Sequence, residues 1–308
     1  MPHTFSVPTL TEPTRLDKFL VVQFPAVSRS RIQEAVRKGH VLVNKKKVAV
    51  HHFLKSGDEV SAPEFATPTP AILTPDVHVK FTTIHEEKDF IIIDKPTGLV
   101  VHPAPGLHES TLVHGLLAQY PELAQVGDDT LRPGIVHRLD REVSGLMVVA
   151  RTPDAFTFFK RQFMERLIEK KYTALVVGRM ANNSGTINFP LARSKRGTRK
   201  VAARSAADDD TREAVTHYEV TQQYQQVALV TVEIETGRTP QIRAHLAALG
   251  YPIVGDTLYR PKHLSFKATP NRLFLHASSL AFTAPDGTHQ KFTSSLPPEL
   301  EHFLAQLH

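Results

Sequence analysis

The stretch that most constrains this chain is residues 134–151, GIVHRLDREVSGLMVVAR. Two short apolar runs, Ile135-Val136 and residues 146–150, flank a charged corner, His137-Arg138-Leu139-Asp140-Arg141-Glu142. Apolar runs of that length bounded by turn residues read as buried strands. The corner between them is then a loop carried on a rigid scaffold, where functional groups tend to sit. Asp140 stands there with Arg138 and Arg141 close by, and on its own it reads as half of a structural ion pair. Only residues elsewhere in the chain can give it another role.

At 308 residues the chain has room for two domains. A formal net charge of +6 favours an anionic partner such as nucleic acid or a membrane surface. With no cysteine there are no disulfides, no thiolate catalysis, no cysteine-ligated zinc and no iron–sulfur cluster. The first residues lack the apolar core of a signal peptide and no later run reaches transmembrane length, so the cytoplasm is the expected compartment and no membrane partner is expected.

Residues 14–60 read as one small unit. Leu16, Phe19 and Leu20 have helical spacing. Ser28 can cap a second helix whose inward face is Ile32, Ala35 and Val36 and which Gly39 ends. Arg29, Arg31, Arg37 and Lys38 cover its other sides. Val41 and Val43 then alternate with His40, Leu42 and Asn44, Lys45, Lys46 and Lys47 form a basic turn, and Val48 and Val50 are expected to start a further strand. A helix followed by a basic hairpin suits a sugar-phosphate backbone, although charge alone is equally consistent with a solvated face. Four prolines within residues 61–76 mark a semi-rigid spacer.

In the second part, Phe90 to Ile93 reads as a strand buried on both faces. Lys95 follows at a strand end, where a turn lysine is the plain reading. His102 and His108 lack a neighbouring carboxylate to complete a metal site. Thr152-Pro153-Asp154 starts a helix with a stripe of Phe156, Phe159, Phe163 and Leu167, closed by Lys170 and Lys171 against its dipole. Tyr172 sits at the entrance of the next strand, either packed or offering a ring for a base to stack on. Residues 190–212 read as a basic hairpin with an acidic tip. Thr239 can cap a helix with Pro240 at its first position, Ile242, Leu246 and Leu249 inside, and Gly250 at its end. Arg243 lies in the first turns of that helix, where the dipole disfavours a cation, and so calls for an anionic partner. Residues 273–288 suggest two short strand-like pieces and a turn, and residues 297–307 a terminal helix.

RLDKFL, SRSRIQEAVRKGHVLVNKKKV and GDEV together resemble the S-four RNA-binding domain. DKPTGLVVHP, HRLDREVSGLMVVAR, EKKYTALVVG, TGRTPQIRAHLAALGYPIVGDTLY and LHASSLAF resemble, in order and spacing, the motifs of RluA-type pseudouridine synthases, closest to the RluC/RluD branch that modifies large-subunit ribosomal RNA. The resemblance implies an α+β fold: an S-four RNA-binding domain over residues 1–62, a Pro-rich linker over 63–76, and a catalytic domain over 77–308. That domain is built on a mixed, largely antiparallel β-sheet with flanking helices. It also implies a cofactor-free RNA isomerase that works as a monomer.

Residue by residue, the resemblance makes Asp140 the essential aspartate, Tyr172 the active-site tyrosine and Arg243 the arginine paired with the aspartate. Arg138 matches the residue that fills the gap left by the flipped nucleotide, and Lys95 and Gly98 match an element near the pocket. Lys95 and Arg138, with Arg29, Arg31, Arg37, Lys38, Lys45 and Lys46 of the first domain, are the expected RNA contacts. Two positions depart from the pattern: Val143 replaces a threonine, and Pro240 replaces the histidine before QIR. Two rivals remain. One is a non-catalytic RNA-binding or assembly protein. The other is a hydrolase built on Ser144, which lacks the flanking glycines of a nucleophile elbow.

Overall fold

A computed structural model describes residues 3–10, 12–25, 27, 29–65, 73–104, 106–193, 200–202, 211–261, 266 and 268–307. The expected cap Ser28, residues 66–72 of the Pro-rich spacer, and the tip and acidic run of the basic hairpin lie outside the described residues. Residues 1–71 and 72–308 form two compact units.

The first unit contains β1 (His3–Ser6), β2 (Thr14–Arg15), α1 (Leu16–Gln23), α2 (Arg29–Arg37), β3 (Leu42–Val43), β4 (Lys46–Lys47), β5 (Phe53–Leu54) and β6 (Glu59–Ala62). One sheet runs in the order β1-β6-β3-β4, and β2 pairs with β5. Leu16, Leu20, Ile32, Val36 and Val60 bury the inner faces of both helices against that sheet. Asn44 and Lys45 both take left-handed φ, +49° and +64°, as the twist of a two-residue hairpin turn demands. That tight turn starts the return strand at Lys46, so Val48 and Val50 do not open a strand as expected. Asp17 is fully buried at the start of α1 and accepts hydrogen bonds from Arg15, Arg29 and Gln33. Burial pushes its carboxyl up, but those three donors hold it well below the usual carboxylate range.

The second unit contains β7 (Thr82–Glu86), β8 (Phe90–Lys95), α3 (Leu112–Gln119), β9 (Ser144–Ala150), α4 (Pro153–Met164), β10 (Glu169–Val177), β11 (Ser184–Ile187), β12 (Leu191–Arg193), β13 (Lys200–Ala202), β14 (Thr216–Gln223), β15 (Val227–Ile234), α5 (Gln241–Ala248), β16 (Leu275–Thr283), β17 (His289–Thr293) and α6 (Pro298–Ala305). Among the described residues its main sheet has nine strands in the order β11-β14-β15-β10-β16-β9-β8-β7, with β17 also on β16. Every pairing is antiparallel except β16 with β9, where His276 faces Ser144 and Ala277 faces Gly145. Every residue of β9 is buried, because the strand lies inside the sheet with both faces covered.

Several expectations are corrected. Ile135-Val136 contributes a single bridge, Ile135 to Val149, rather than a strand. α4 begins as expected, with Thr152 Oγ1 accepting from Ala155 N (3.2 Å), but stops at Met164. Arg166 takes φ +60° and turns the chain, leaving Leu167 exposed and carrying Lys170 and Lys171 into β10. α5 starts at Gln241, with Pro240 in a non-helical conformation (φ −101°, ψ 83°) as its N-cap, so Thr239 caps nothing. Residues 275–283 make one strand rather than two pieces. Among the described residues no helix is long and apolar enough to cross a membrane.

Candidate active site

The corner after Val136 is fixed through its backbone. Val143 N donates to Asp140 O (3.1 Å), closing a turn. Residues 97 and 98 are stitched to it: Gly98 N donates to Arg141 O (2.8 Å), Thr97 Oγ1 to Glu142 O (2.8 Å) and Arg141 Nε to Gly98 O (3.0 Å). Gly98 holds φ +82° there, a conformation that favours glycine. Lys95 completes the seam. Its fully buried ammonium donates to Pro96 O (2.9 Å), Leu99 O (2.9 Å) and Arg141 O (3.3 Å). An ammonium enclosed by three carbonyls is not placed to reach a phosphate, so Lys95 is a loop anchor and not the RNA contact expected of it. Burial, with Arg272 nearby, pulls its pKa down to about 7 against the opposing pull of Asp140 and Glu142.

On the other flank, Val148 N donates to His137 Nε2 (3.0 Å), and the imidazole stacks on Phe163 with centroids 4.7 Å apart. Burial, helped by the charge on Lys170, brings His137 down to about 3 and keeps it the neutral acceptor this bond requires.

The Asp140 carboxylate makes no side-chain hydrogen bond among the described residues. Its nearest cation is Arg243, with Nη1 3.7 Å from Oδ2. Burial pushes the Asp140 pKa above the ordinary carboxylate value, and Arg243, Arg138 and Lys95 pull against it. Arg243 does have the anionic partner its helix position called for, but the tight one is Asp256. Nε donates to Asp256 Oδ2 (2.8 Å) and Nη2 to Oδ1 (2.9 Å), while Leu258 N and Tyr259 N donate to the same Oδ1 (2.7 and 2.9 Å). This two-pronged pair leaves Nη1 facing Glu142 (3.4 Å) and Asp140. A second, buried carboxylate therefore aims the counter-ion of the first.

Asp140, Tyr172, Arg243 and Arg138 line one cavity of about 530 Å³, floored by Val143, Ile234 and Leu275, within the usual size of ligand pockets, about 300–1,000 Å³. Tyr172 is buried, and burial together with the charge on Asp140 pushes its phenol up, so it stays protonated. Arg138 is exposed at the rim, and its Nη1 donates to His102 Nε2 (3.3 Å). Burial and the neighbouring arginines bring His102 down to about 4, leaving it neutral to accept. Val143 packs into the apolar core, so the missing threonine hydroxyl orphans no partner. Lys95 and Gly98 do not line the cavity. Neither does Ser144, which is buried, accepts from Arg272 Nη2 (2.6 Å) and bonds His276 Nδ1 (2.9 Å). A serine so enclosed has no approach for a substrate.

The six expected cations of the first unit, Arg29, Arg31, Arg37, Lys38, Lys45 and Lys46, are all exposed. Arg29 is committed to Asp17 through Nε (3.0 Å) and Nη2 (2.8 Å), Lys38 to Glu34 (2.8 Å), and Arg37 Nη2 to Gln33 Oε1 (3.4 Å). Arg29 is thus partly structural. Asp256, His102 and His137 went unassigned in the sequence. Only the isolated cation at Arg243 signalled that a carboxylate such as Asp256 had to exist.

The sequence matches the family model described as RNA pseudouridylate synthase over residues 89–248, and the S4 domain over residues 14–60. An uncharacterized RNA pseudouridine synthase of Chloroflexus aurantiacus is 40% identical, covering 98% of this chain and 92% of that one. The ribosomal large subunit pseudouridine synthase D of Xanthomonas campestris is 36% identical, covering 98% and 91%. Among solved structures, human RNA pseudouridylate synthase domain containing 4 is 26% identical, with a TM-score of 0.59 over 74% of this chain and 94% of that one.

Proposed function

The chain belongs to the RNA pseudouridylate synthase family, and from that premise we propose that it isomerises uridines of large-subunit ribosomal RNA with Asp140 as the reacting carboxylate. The supporting observation is convergence: the Asp140 carboxylate, the Tyr172 ring and the Arg243 guanidinium line one nucleoside-sized cavity. The relatives named for the large ribosomal subunit support the choice of RNA.

The reaction breaks the bond from N1 of uracil to C1′ of the ribose and joins C1′ to C5 with no net redox change. A base paired in a stem must first leave its stack, at a cost of about a few kcal/mol. Arg138, exposed at the rim, fills the gap that the nucleotide leaves. Tyr172 supplies the platform for the extruded base; as a protonated phenol it is a poor proton acceptor. Asp140, which makes no side-chain hydrogen bond among the described residues, either attacks C1′ or takes a ribose proton on a glycal route. Arg243 favours its ionised form in either case.

We assign residues 1–62 to RNA binding through Arg29, Arg31, Arg37, Lys38, Lys45 and Lys46, residues 63–76 to a linker and residues 77–308 to catalysis, in a cytoplasmic monomer. Release of tritium from C5-labelled uridine in ribosomal RNA tests the core of this reading. An Asp140→Asn protein releasing it at the wild-type rate would sink the assignment. A non-catalytic RNA-binding protein would shift RNA mobility yet release none, and mapping pseudouridines in cells with and without the protein identifies the positions.

A further inference from the structure

Lys170 lies in the same cavity and is only 7% exposed. Among the described residues its ammonium has no hydrogen-bond acceptor and no carboxylate partner; what it has is the Phe163 ring, 5.5 Å from Nζ. Lys95 shows how this fold treats a lysine that serves only structure, since its three carbonyl acceptors account for all three protons. Burying an ammonium without such partners works against folding. Strand alternation puts Lys170 and Tyr172 on one face of β10, roughly 7 Å apart along it. A largely buried lysine therefore stands beside the base platform, its ammonium open to the cavity with its donors unused.

We propose that Lys170 is a substrate-binding residue whose ammonium is held open for a negatively charged oxygen of the nucleotide in the cavity. The proposal rests on the isomerase reading and adds to it. Burial lowers the pKa of Lys170 to about 8, which leaves the side chain mostly charged at neutral pH.

Two oxygens of the substrate have that chemistry. One is a backbone phosphate next to the flipped uridine. The other belongs to the uracil ring. When N1–C1′ breaks, the bonding pair stays with the ring and spreads onto O2 and O4. The pair returns to C1′ through C5, the C5 proton leaves to solvent and N1 takes one up. Lys170 keeps its proton throughout and serves as the counter-charge.

Full-length Lys170→Met and Lys170→Arg proteins test this through thermal midpoint, affinity for a C5-tritiated large-subunit ribosomal RNA transcript at several salt concentrations, and single-turnover tritium release. Lys170→Met is expected to melt at or above the wild-type temperature, since it removes an unpaired, partly desolvated charge, while release falls at least tenfold. Lys170→Arg should recover most of it. A phosphate partner shows as weaker binding with a salt slope reduced by about 0.7–0.9. A uracil partner leaves affinity and slope unchanged while the rate falls. A Lys170→Met protein with wild-type affinity and rate overturns the proposal, as does a clear drop in melting temperature that arginine does not restore. If the wild type binds the transcript but releases no tritium, the isomerase reading fails. Lys170 is then judged on affinity and salt slope alone.

Discussion

Removing the Asp256 carboxylate tests how the site is held. In Asp256→Ala, Arg243 keeps its buried position but loses both charge-assisted bonds, and the amides of Leu258 and Tyr259 lose their acceptor. Orphaning one partner of a buried ion pair costs about 3–5 kcal/mol. A catalytic unit of this size loses about 2–4 °C of melting temperature per kcal/mol, so the midpoint should fall by about 6–20 °C. Below that midpoint the freed guanidinium is drawn toward Asp140 and Glu142, already 3.7 and 3.4 Å from Nη1. A closer Arg243 lowers the pKa of Asp140 and occupies the oxygen the substrate needs, so tritium release falls while its acid limb moves to lower pH. Circular dichroism melts and a pH–rate profile read both effects. The decisive comparison is the double variant Asp256→Ala/Arg243→Met. If the orphaned charge causes the loss, the double variant melts above the single one. Losses that simply add would refute the reasoning.

Because burial raises the Asp140 pKa, ionising this group in the folded protein works against stability. The protonated form's advantage is fully present below the unfolded-state pKa and is lost as pH rises through the folded one. Asp140→Asn should therefore melt at or above the wild-type temperature at pH 7 while releasing no tritium. The acid limb of wild-type activity should lie above the ordinary aspartate range, and in Arg243→Met it should move higher still. Gly145→Ala should destabilise the protein by about 3 kcal/mol or more, because a Cβ there sits 2.4 Å from Ala277 O at φ +118°; a urea melt within 1 kcal/mol of wild type would contradict this. Lys95→Met strands up to three carbonyls at about 1–3 kcal/mol each, yet should leave the salt slope of RNA binding at its wild-type value, since Lys95 reaches no phosphate.

The parts legible from pattern were those that local physics decides: the inward faces of α1 and α2, the buried run of β8 and the capped start of α4. The end of α4 was not legible, because Leu167 continues the phenylalanine spacing and no glycine or proline announces the turn that Arg166 makes. Asp140, Tyr172 and Arg243 drew together only through resemblance to a family; by charge alone Asp140 remained an ion pair. The lysines were misjudged in opposite directions. The resemblance makes Lys95 an RNA contact, whereas it anchors a loop; the spacing makes Lys170 a helix terminus, whereas it lies in the cavity. Whether a cation meets water, carbonyls or an empty space is decided by strands far away in the chain, which no local pattern reports.

The single parallel junction of the main sheet also sets a timetable. β9, which follows the Asp140 corner, has β8 on one side and β16 on the other, and its Ser144 faces a residue 132 positions later. A chain emerging from the ribosome therefore makes this seven-residue, wholly buried strand long before its second neighbour exists. Until residues 275–283 have been synthesised, β9 lacks its partners at Ser144 and Gly145, next to the Asp140 corner, although Ile135 already bridges Val149 at its far end; an unpaired edge of that kind invites wrong partners. The loop carrying the carboxylate lacks its final support over the same interval. Competence for the reaction arrives near the end of synthesis, and a chain released before β16 exposes a sticky half-sheet rather than a partly active enzyme.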